Sequence, residues 1–90
     1  MSNTVNHNIG TTAEKIGLKN HDESDVTLFS TRTNTGLIYI LVDEDQTKEA
    51  STNLHTVSIE PGDYYVVEKH LEGVISIISD TANQSVMVTS

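Results

Sequence analysis

The sequence predicts an all-β protein, a single small antiparallel β-sandwich of about seven short strands that is either immunoglobulin-like or jelly-roll-like. Three observations support this fold class. Short apolar segments alternate with polar residues at the period of two that is typical of half-buried strands. Glycine, proline and small polar residues separate these segments at regular intervals. No segment of the 90 residues has the 3.6-residue periodicity of an amphipathic helix.

The N-terminal segment has a composition unlike that of the rest of the chain. Residues 1–13 are polar and rich in Asn and Thr, and they contain no Asp, Glu, Lys or Arg. A segment of this kind has no hydrophobic core of its own. We therefore expect a flexible N-terminal arm over residues 1–13 and a β-sandwich domain over residues 14–90. The arm is either a frayed terminus or a segment that becomes ordered on a partner.

The first half of the domain contains three predicted strands. Residues 15–19 and 26–30 both alternate between apolar and polar side chains. Phe29 interrupts the second alternation, which makes it a candidate for a sheet edge or an interface. Residues 37–42 are a continuous apolar run, which favours a central strand buried on both faces. Residues 43–53 are the most hydrophilic stretch, and they predict either a long surface loop or a short helical turn around residues 47–50.

The second half contains the clearest turn of the chain. In Glu60-Pro61-Gly62-Asp63, proline fixes φ at the second position and glycine permits the positive φ that a type II turn requires at the third. Strands are predicted on both sides of this turn and towards the C-terminus, over residues 56–59, 64–68, 74–79 and 85–89.

The charge balance limits the class of partner. The chain has 13 acidic and 5 basic residues and a formal net charge of −8. Affinity for nucleic acid comes mainly from Lys and Arg that neutralise phosphates, and anionic membranes attract basic segments. We therefore expect no nucleic acid and no membrane among the partners.

The size of the chain limits its core. A domain this small buries only about 60–65% of the surface of its unfolded chain. The chain has no cysteine and few aromatic residues, so Val, Ile and Leu must build the core without disulfides. A homo-oligomer would bury further apolar surface. Residues 1–13 lack the apolar stretch of a signal peptide, and no run approaches the length of a membrane span, so we expect neither.

We expect no enzymatic activity, no cofactor and no metal. A hydrolytic triad requires a nucleophile, a base and an orienting group, and none of the four histidines lies near a nucleophile-elbow motif. The chain has no Gly-rich phosphate-binding loop. The acidic clusters at residues 22–25 and 43–45 do not fit the EF-hand spacing, so we favour solvated turns over weak cation sites.

Two adjacent aromatic residues are candidates for a binding surface. Tyr64 and Tyr65 must face opposite sides of their predicted strand, because successive side chains of a strand alternate. We expect at least one of them to be exposed. Packing or an interface is favoured, with stacking on a carbohydrate as the alternative.

The order of motifs in the C-terminal half resembles a known family. Ile59-Glu60-Pro61-Gly62 leads into a strand, Gly73-Val74-Ile75 opens the next one, and Val86-Met87-Val88-Thr89 ends the chain. Together with Ile16-Gly17-Leu18-Lys19-Asn20 and Val26-Thr27-Leu28, this order is similar to that of small β-sandwich proteins that decorate or cement the capsids of tailed bacteriophages. The resemblance covers about residues 14–90. The acidic stretch at residues 43–53 and the lack of an Arg before the first strand depart from the family pattern.

The resemblance implies a non-enzymatic virion structural protein. Such a protein is made in the host cytoplasm, binds the major capsid protein or another virion protein at the capsid surface, stabilises the shell, and often forms a homotrimer. A carbohydrate-binding or host-attachment module, or another phage head or tail accessory protein, is the alternative function. The candidate partner-binding residues are Val5, His7 and Ile9 of the predicted arm, and Phe29, Tyr64 and Tyr65 of the domain.

Overall fold

A computed structural model describes residues 4–17, 25–43, 49–67 and 74–89. These residues form eight strands and no helix, and so no helix that could span a membrane. The all-β prediction is confirmed. The strands are β1 (Thr4–Ile9), β2 (Glu14–Gly17), β3 (Val26–Ser30), β4 (Ile38–Asp43), β5 (Val57–Ile59), β6 (Tyr64–Val67), β7 (Val74–Ser79) and β8 (Gln84–Thr89).

The strands form two four-stranded antiparallel sheets. Sheet A has the order β1-β8-β3-β6, and sheet B has the order β2-β7-β4-β5. The pairing is nested, because β1 pairs with β8, β2 with β7, β3 with β6 and β4 with β5. This distribution of eight strands over two sheets is that of a jelly roll. The predicted small β-sandwich is confirmed, and of the two predicted types the topology is jelly-roll-like and not immunoglobulin-like.

The seven predicted strands correspond to β2–β8, and the eighth strand lies where the sequence predicts an arm. Thr4–Ile9 pairs with β8 along its whole length, from Thr4 opposite Thr89 to Ile9 opposite Gln84. The structure therefore differs from the expected flexible arm over residues 4–9. The reason is tertiary, because β8 supplies the hydrogen-bonding partner and the core accepts Ile9.

The core lies between the inner faces of the two sheets. Alternate residues of nearly every strand point into it, as the predicted period of two requires. No aromatic side chain is among the fully buried ones, and Tyr65 packs against the core from its margin. The buried cluster consists of Ile9, Val26, Leu28, Ile38, Ile40, Ile59, Val67, Ile75, Ile77, Val86 and Val88.

The turn between β5 and β6 has the predicted type II geometry. The N–H of Asp63 donates to the carbonyl oxygen of Glu60 at 3.0 Å, and Gly62 has a φ of 85°. The turn is also fixed to β3, because the N–H of Gly62 donates to the carbonyl oxygen of Ser30 at 2.7 Å. The turn therefore holds β6 in place beside β3.

A polar network fixes the connection between β3 and β4 to the start of β8. The Oε1 atom of Gln84 accepts hydrogen bonds from the N–H groups of Thr35 at 2.8 Å and Gly36 at 3.0 Å. The Nδ2 atom of Asn34 donates to Ser30 Oγ at 2.9 Å and to the Ser85 carbonyl oxygen at 2.8 Å. Both amide side chains are buried. Because their polar atoms are paired, they stabilise the end of the sandwich.

Candidate functional site: the outer face of sheet A

The chain itself covers the centre of the outer face of sheet B, over β7 and β4. The described residues between β4 and β5 include residues 49–56, here called the covering segment. Within it, the N–H of Ala50 donates to Ser76 Oγ at 2.8 Å, and both residues are buried. The ring of His55 lies 4.9 Å from that of Tyr39, between centroids. The predicted central strand β4 is thus packed on both sides, whereas Lys15 of β2 and Ser58 of β5 remain exposed on the same face.

The outer face of sheet A presents a continuous row of side chains across all four strands. Asn6 of β1 lies opposite Met87 of β8, Met87 lies opposite Phe29 of β3, and Phe29 lies opposite Tyr64 of β6. Paired residues of antiparallel strands point to the same face, so these four side chains are neighbours. Val66 lies two residues along β6 from Tyr64 and points to the same side.

The apolar side chains of this face remain open to solvent. We call Phe29, Tyr64, Val66 and Met87 the apolar band. Tyr64 is 61% exposed, Val66 38% and Met87 37%, while Phe29 is half-buried between its neighbours. Among the described residues, five large hydrophobic side chains are exposed, and three of them belong to this band. Clustered exposed apolar side chains mark interaction sites, whereas isolated ones do not.

The outer face of sheet A is also uncharged. Its outward-facing strand residues, as far as the structure describes them, are hydroxyl, amide or apolar side chains. They are Thr4, Asn6, Asn8, Thr27, Phe29, Tyr64, Val66, Ser85, Met87 and Thr89. The chain as a whole carries 18 charged residues and a net charge of −8. An apolar patch with a polar rim and no charge has the composition of a protein-binding surface.

The structure separates the six predicted partner-binding residues into two groups. Phe29 and Tyr64 come together in the apolar band, and the predicted exposure of one tyrosine is confirmed by Tyr64. Phe29 lies on an interior strand, so it belongs to a face and not to an edge. Tyr65 points inward and packs against the core, which removes it from this surface.

The other group lies on β1. Ile9 is a core residue, with only 1% of its surface exposed, so it is unavailable to a partner. The Nδ1 atom of His7 lies 3.2 Å from Glu14 Oε1 of β2, and this contact joins the margins of the two sheets. Val5 is 47% exposed at the edge of sheet A. Only Val5 of this group therefore offers apolar surface.

The sequence reasoning missed Val66 and Met87. Both could have been found by applying the period of two consistently. The alternation of Val86 and Val88 into the core leaves Met87 facing outward between them. Val67 is buried, so Val66 must face outward beside Tyr64. A hydrophobic residue at an outward position of a strand is the signal, and it occurs four times on sheet A.

The remaining clefts and titratable groups of the described residues do not form a second site. A shallow cleft of about 370 Å³ lies between residues 35–37, 60–61 and 80–81. Of its two carboxylates, Asp80 already accepts hydrogen bonds from the Leu37 N–H and the Thr81 hydroxyl, and Glu60 lies exposed in the turn before β6. No group of three or more potential metal ligands occurs among the described residues. Most of each predicted acidic cluster, and with them His21 and His70, falls outside these residues.

Comparison of the chain with known proteins identifies no relative. No family model, no curated protein and no solved structure matches the chain. The fold and the site define the class of protein, which is a small jelly-roll β-sandwich with one sheet covered at its centre and one open, uncharged sheet face that carries an apolar band.

Proposed function

We propose that this protein is a non-enzymatic binding protein that contacts another protein through the apolar band of sheet A. One observation carries the proposal. Phe29, Tyr64 and Met87 are aligned across three neighbouring strands on an uncharged face, while the chain covers the centre of the equivalent face of its other sheet. Aromatic residues and methionine are the types that protein interfaces favour in their cores.

The apolar band has the composition of an interface centre. Removal of a large apolar side chain from water contributes about 1.5–3 kcal/mol. A few aromatic residues usually supply most of the binding energy, and the polar residues around them exclude water. Tyr64 and Met87 would take this central role, and the surrounding Thr and Asn side chains would form the rim.

The partner we propose is the major capsid protein, or another virion protein, with this chain as a decoration protein that stabilises the shell. The support is the resemblance of residues 14–90 to capsid decoration proteins. The jelly roll also recurs in viral capsid domains, although this is an analogy at the level of fold. A homotrimer belongs to the same proposal, because linked copies on a repeating lattice gain affinity from multivalency.

Carbohydrate binding is the second candidate, and the exposed ring of Tyr64 favours it. A tyrosine that is 61% exposed could stack on a sugar ring. The neighbours of this ring argue for a protein instead, because Phe29 and Met87 offer no hydrogen bonds to sugar hydroxyls. Small-molecule sites need a few convergent polar groups for orientation.

The test is binding of the double variant Tyr64→Ser, Met87→Ser to empty shells assembled from the major capsid protein proposed as the partner, measured by co-sedimentation. We expect affinity to fall roughly 100-fold, which corresponds to about 2.7 kcal/mol. The matched control is Leu54→Ser, because Leu54 is 42% exposed but lies in the covering segment.

Each result has a defined meaning. Loss of binding in the double variant but not in Leu54→Ser supports the proposal. Equal binding by all three proteins contradicts the proposed contact. Absence of wild-type shell binding, together with Tyr64-dependent binding to glycans, would replace the proposal with the carbohydrate-binding alternative.

A further inference from the structure

The register of sheet A shows which main-chain groups of β1 are free. The N–H of Thr31 donates to the carbonyl oxygen of Ser85 at 3.3 Å, so Ser85 directs its main-chain groups towards β3. Hydrogen-bonded positions alternate along an antiparallel strand. Val86 and Val88 therefore direct their main-chain groups towards β1.

The same alternation continues into β1. Val5 and His7 lie opposite Val88 and Val86, so their main-chain groups bond to β8. The N–H and C=O groups of the intervening residues point away from the sheet. We call these main-chain groups, those of Thr4, Asn6 and Asn8, the free edge of β1. No described strand pairs with them.

This edge lacks the protection that sheet edges usually carry. Natural proteins protect edge strands by making them short or by adding charge or proline. The edge strand β5 has three residues, β6 has four, and β2 has four including Glu14 and Lys15. β1 has six residues with no proline, and residues 1–13 contain no Asp, Glu, Lys or Arg.

Val5 provides a second, independent indication that the edge of β1 can accept another strand. It lies opposite Val88, which is only 4% exposed, so both side chains face the inner side of sheet A. Val5 is nevertheless 47% exposed, because no described strand lies beyond β1 to cover it. A strand added along the free edge would cover this side chain and satisfy the main-chain groups together.

We propose that the free edge of β1 pairs with a strand from a second copy of this chain, so that sheet A continues from one molecule into the next. The charge distribution favours a second copy over another partner. β1 itself has no Asp, Glu, Lys or Arg, and the nearby Glu14 carboxylate is engaged by His7, so the edge offers little charge to attract a basic strand. The chain's net charge of −8 makes such an uncharged segment the place where two copies can meet with least repulsion.

This inference shares self-association with the proposed function, but it concerns the edge of sheet A and not the outer face that would contact the partner. Variants of the apolar band leave the main chain of β1 unchanged. Loss of shell binding and loss of self-association can therefore be assigned to separate surfaces.

The experiment is a comparison of Asn8→Pro with Asn8→Ala in the full chain, by light scattering over a range of concentrations. Proline removes an N–H that β8 does not use, whereas alanine keeps it. Position 8 is exposed, so both substitutions remove the same exposed Asn side chain and differ in the main-chain N–H. We expect wild type and Asn8→Ala to have a mass of at least two 9.9 kDa chains, and Asn8→Pro to associate at least tenfold more weakly.

Amide hydrogen exchange of the wild type provides a test that needs no variant. We expect the amides of Asn6 and Asn8 to exchange more slowly as the protein concentration rises. A wild type that remains monomeric would overturn the proposal. An oligomer in which these amides exchange freely, or one that Asn8→Pro leaves unchanged while thermal unfolding shows it folded, would overturn it equally.

Discussion

At the residue scale, Gly36 shows how closely the end of the sandwich is packed. Its N–H donates to Gln84 Oε1 at 3.0 Å in a buried position. A Cβ atom built on Gly36 would overlap with Asp80 Oδ1 and with the side chain of Thr81. The absence of a side chain is what permits the connection between β3 and β4 to approach the turn before β8.

We predict that Gly36→Ala destabilises the protein by about 1–3 kcal/mol, because the added methyl group must displace Asp80 and Thr81. The matched control is Gly10→Ala, since a Cβ there would be 3.9 Å from the nearest atom, Ala82 Cα. Urea unfolding of both variants gives the measurement. Equal stability of the two would show that the turn can move to accept the methyl group.

Individual residues also show what could be predicted of the site. Phe29 stands out in the sequence because it interrupts an alternation, and Tyr64 because it is next to another aromatic residue. The sequence could not place them side by side, because that depends on which strands pair and in which register. For the same reason the sequence could not place Met87 beside Phe29, although the two residues lie opposite each other in sheet A and are 58 residues apart in the chain.

At the element scale, β1 marks the limit of local pattern reading. Thr4–Ile9 contains two apolar residues, Val5 and Ile9, and between them Asn and His, which have little preference for strands. Its strand conformation comes from pairing with β8 at the opposite end of the sequence. The other seven strands were predictable because their own residues alternate or form branched apolar runs.

The inclusion of β1 in the sandwich leads to a prediction about stability. We expect Ile9→Ala to lower the free energy of unfolding by about 2–4 kcal/mol, because it removes a core side chain. Val5→Ala should cost far less, since Val5 is half exposed. Chemical unfolding at concentrations below any self-association measures both. If both variants lose only a small and similar free energy of unfolding, β1 is a loosely attached arm.

At the scale of the whole molecule, the two sheet faces have opposite properties. The covering segment lies over the centre of sheet B, where it supplies the buried Ala50 and the His55 ring. Sheet A exposes the apolar band and ends at the free edge of β1. Sequence alone predicted a sandwich but not this asymmetry, because covering a sheet is a property of the assembled chain.

The 13 acidic residues of the chain lie outside the described strand positions of this outer face. Binding of a partner through the uncharged face should therefore depend little on ionic strength.

The nested pairing of the jelly roll also has a consequence for the order of events during folding. The pair β4–β5 joins residues less than 25 positions apart, whereas β1–β8 joins Thr4 to Thr89. Closing a longer loop costs more entropy, so the innermost pair should form first and the outermost last. Ile9→Ala should therefore accelerate unfolding and barely slow folding in stopped-flow experiments. A variant that slows folding instead would place β1 in the folding nucleus.

If β1 does close last, it is also the first strand to open, and its detachment would interrupt self-association before the rest of the sandwich is lost.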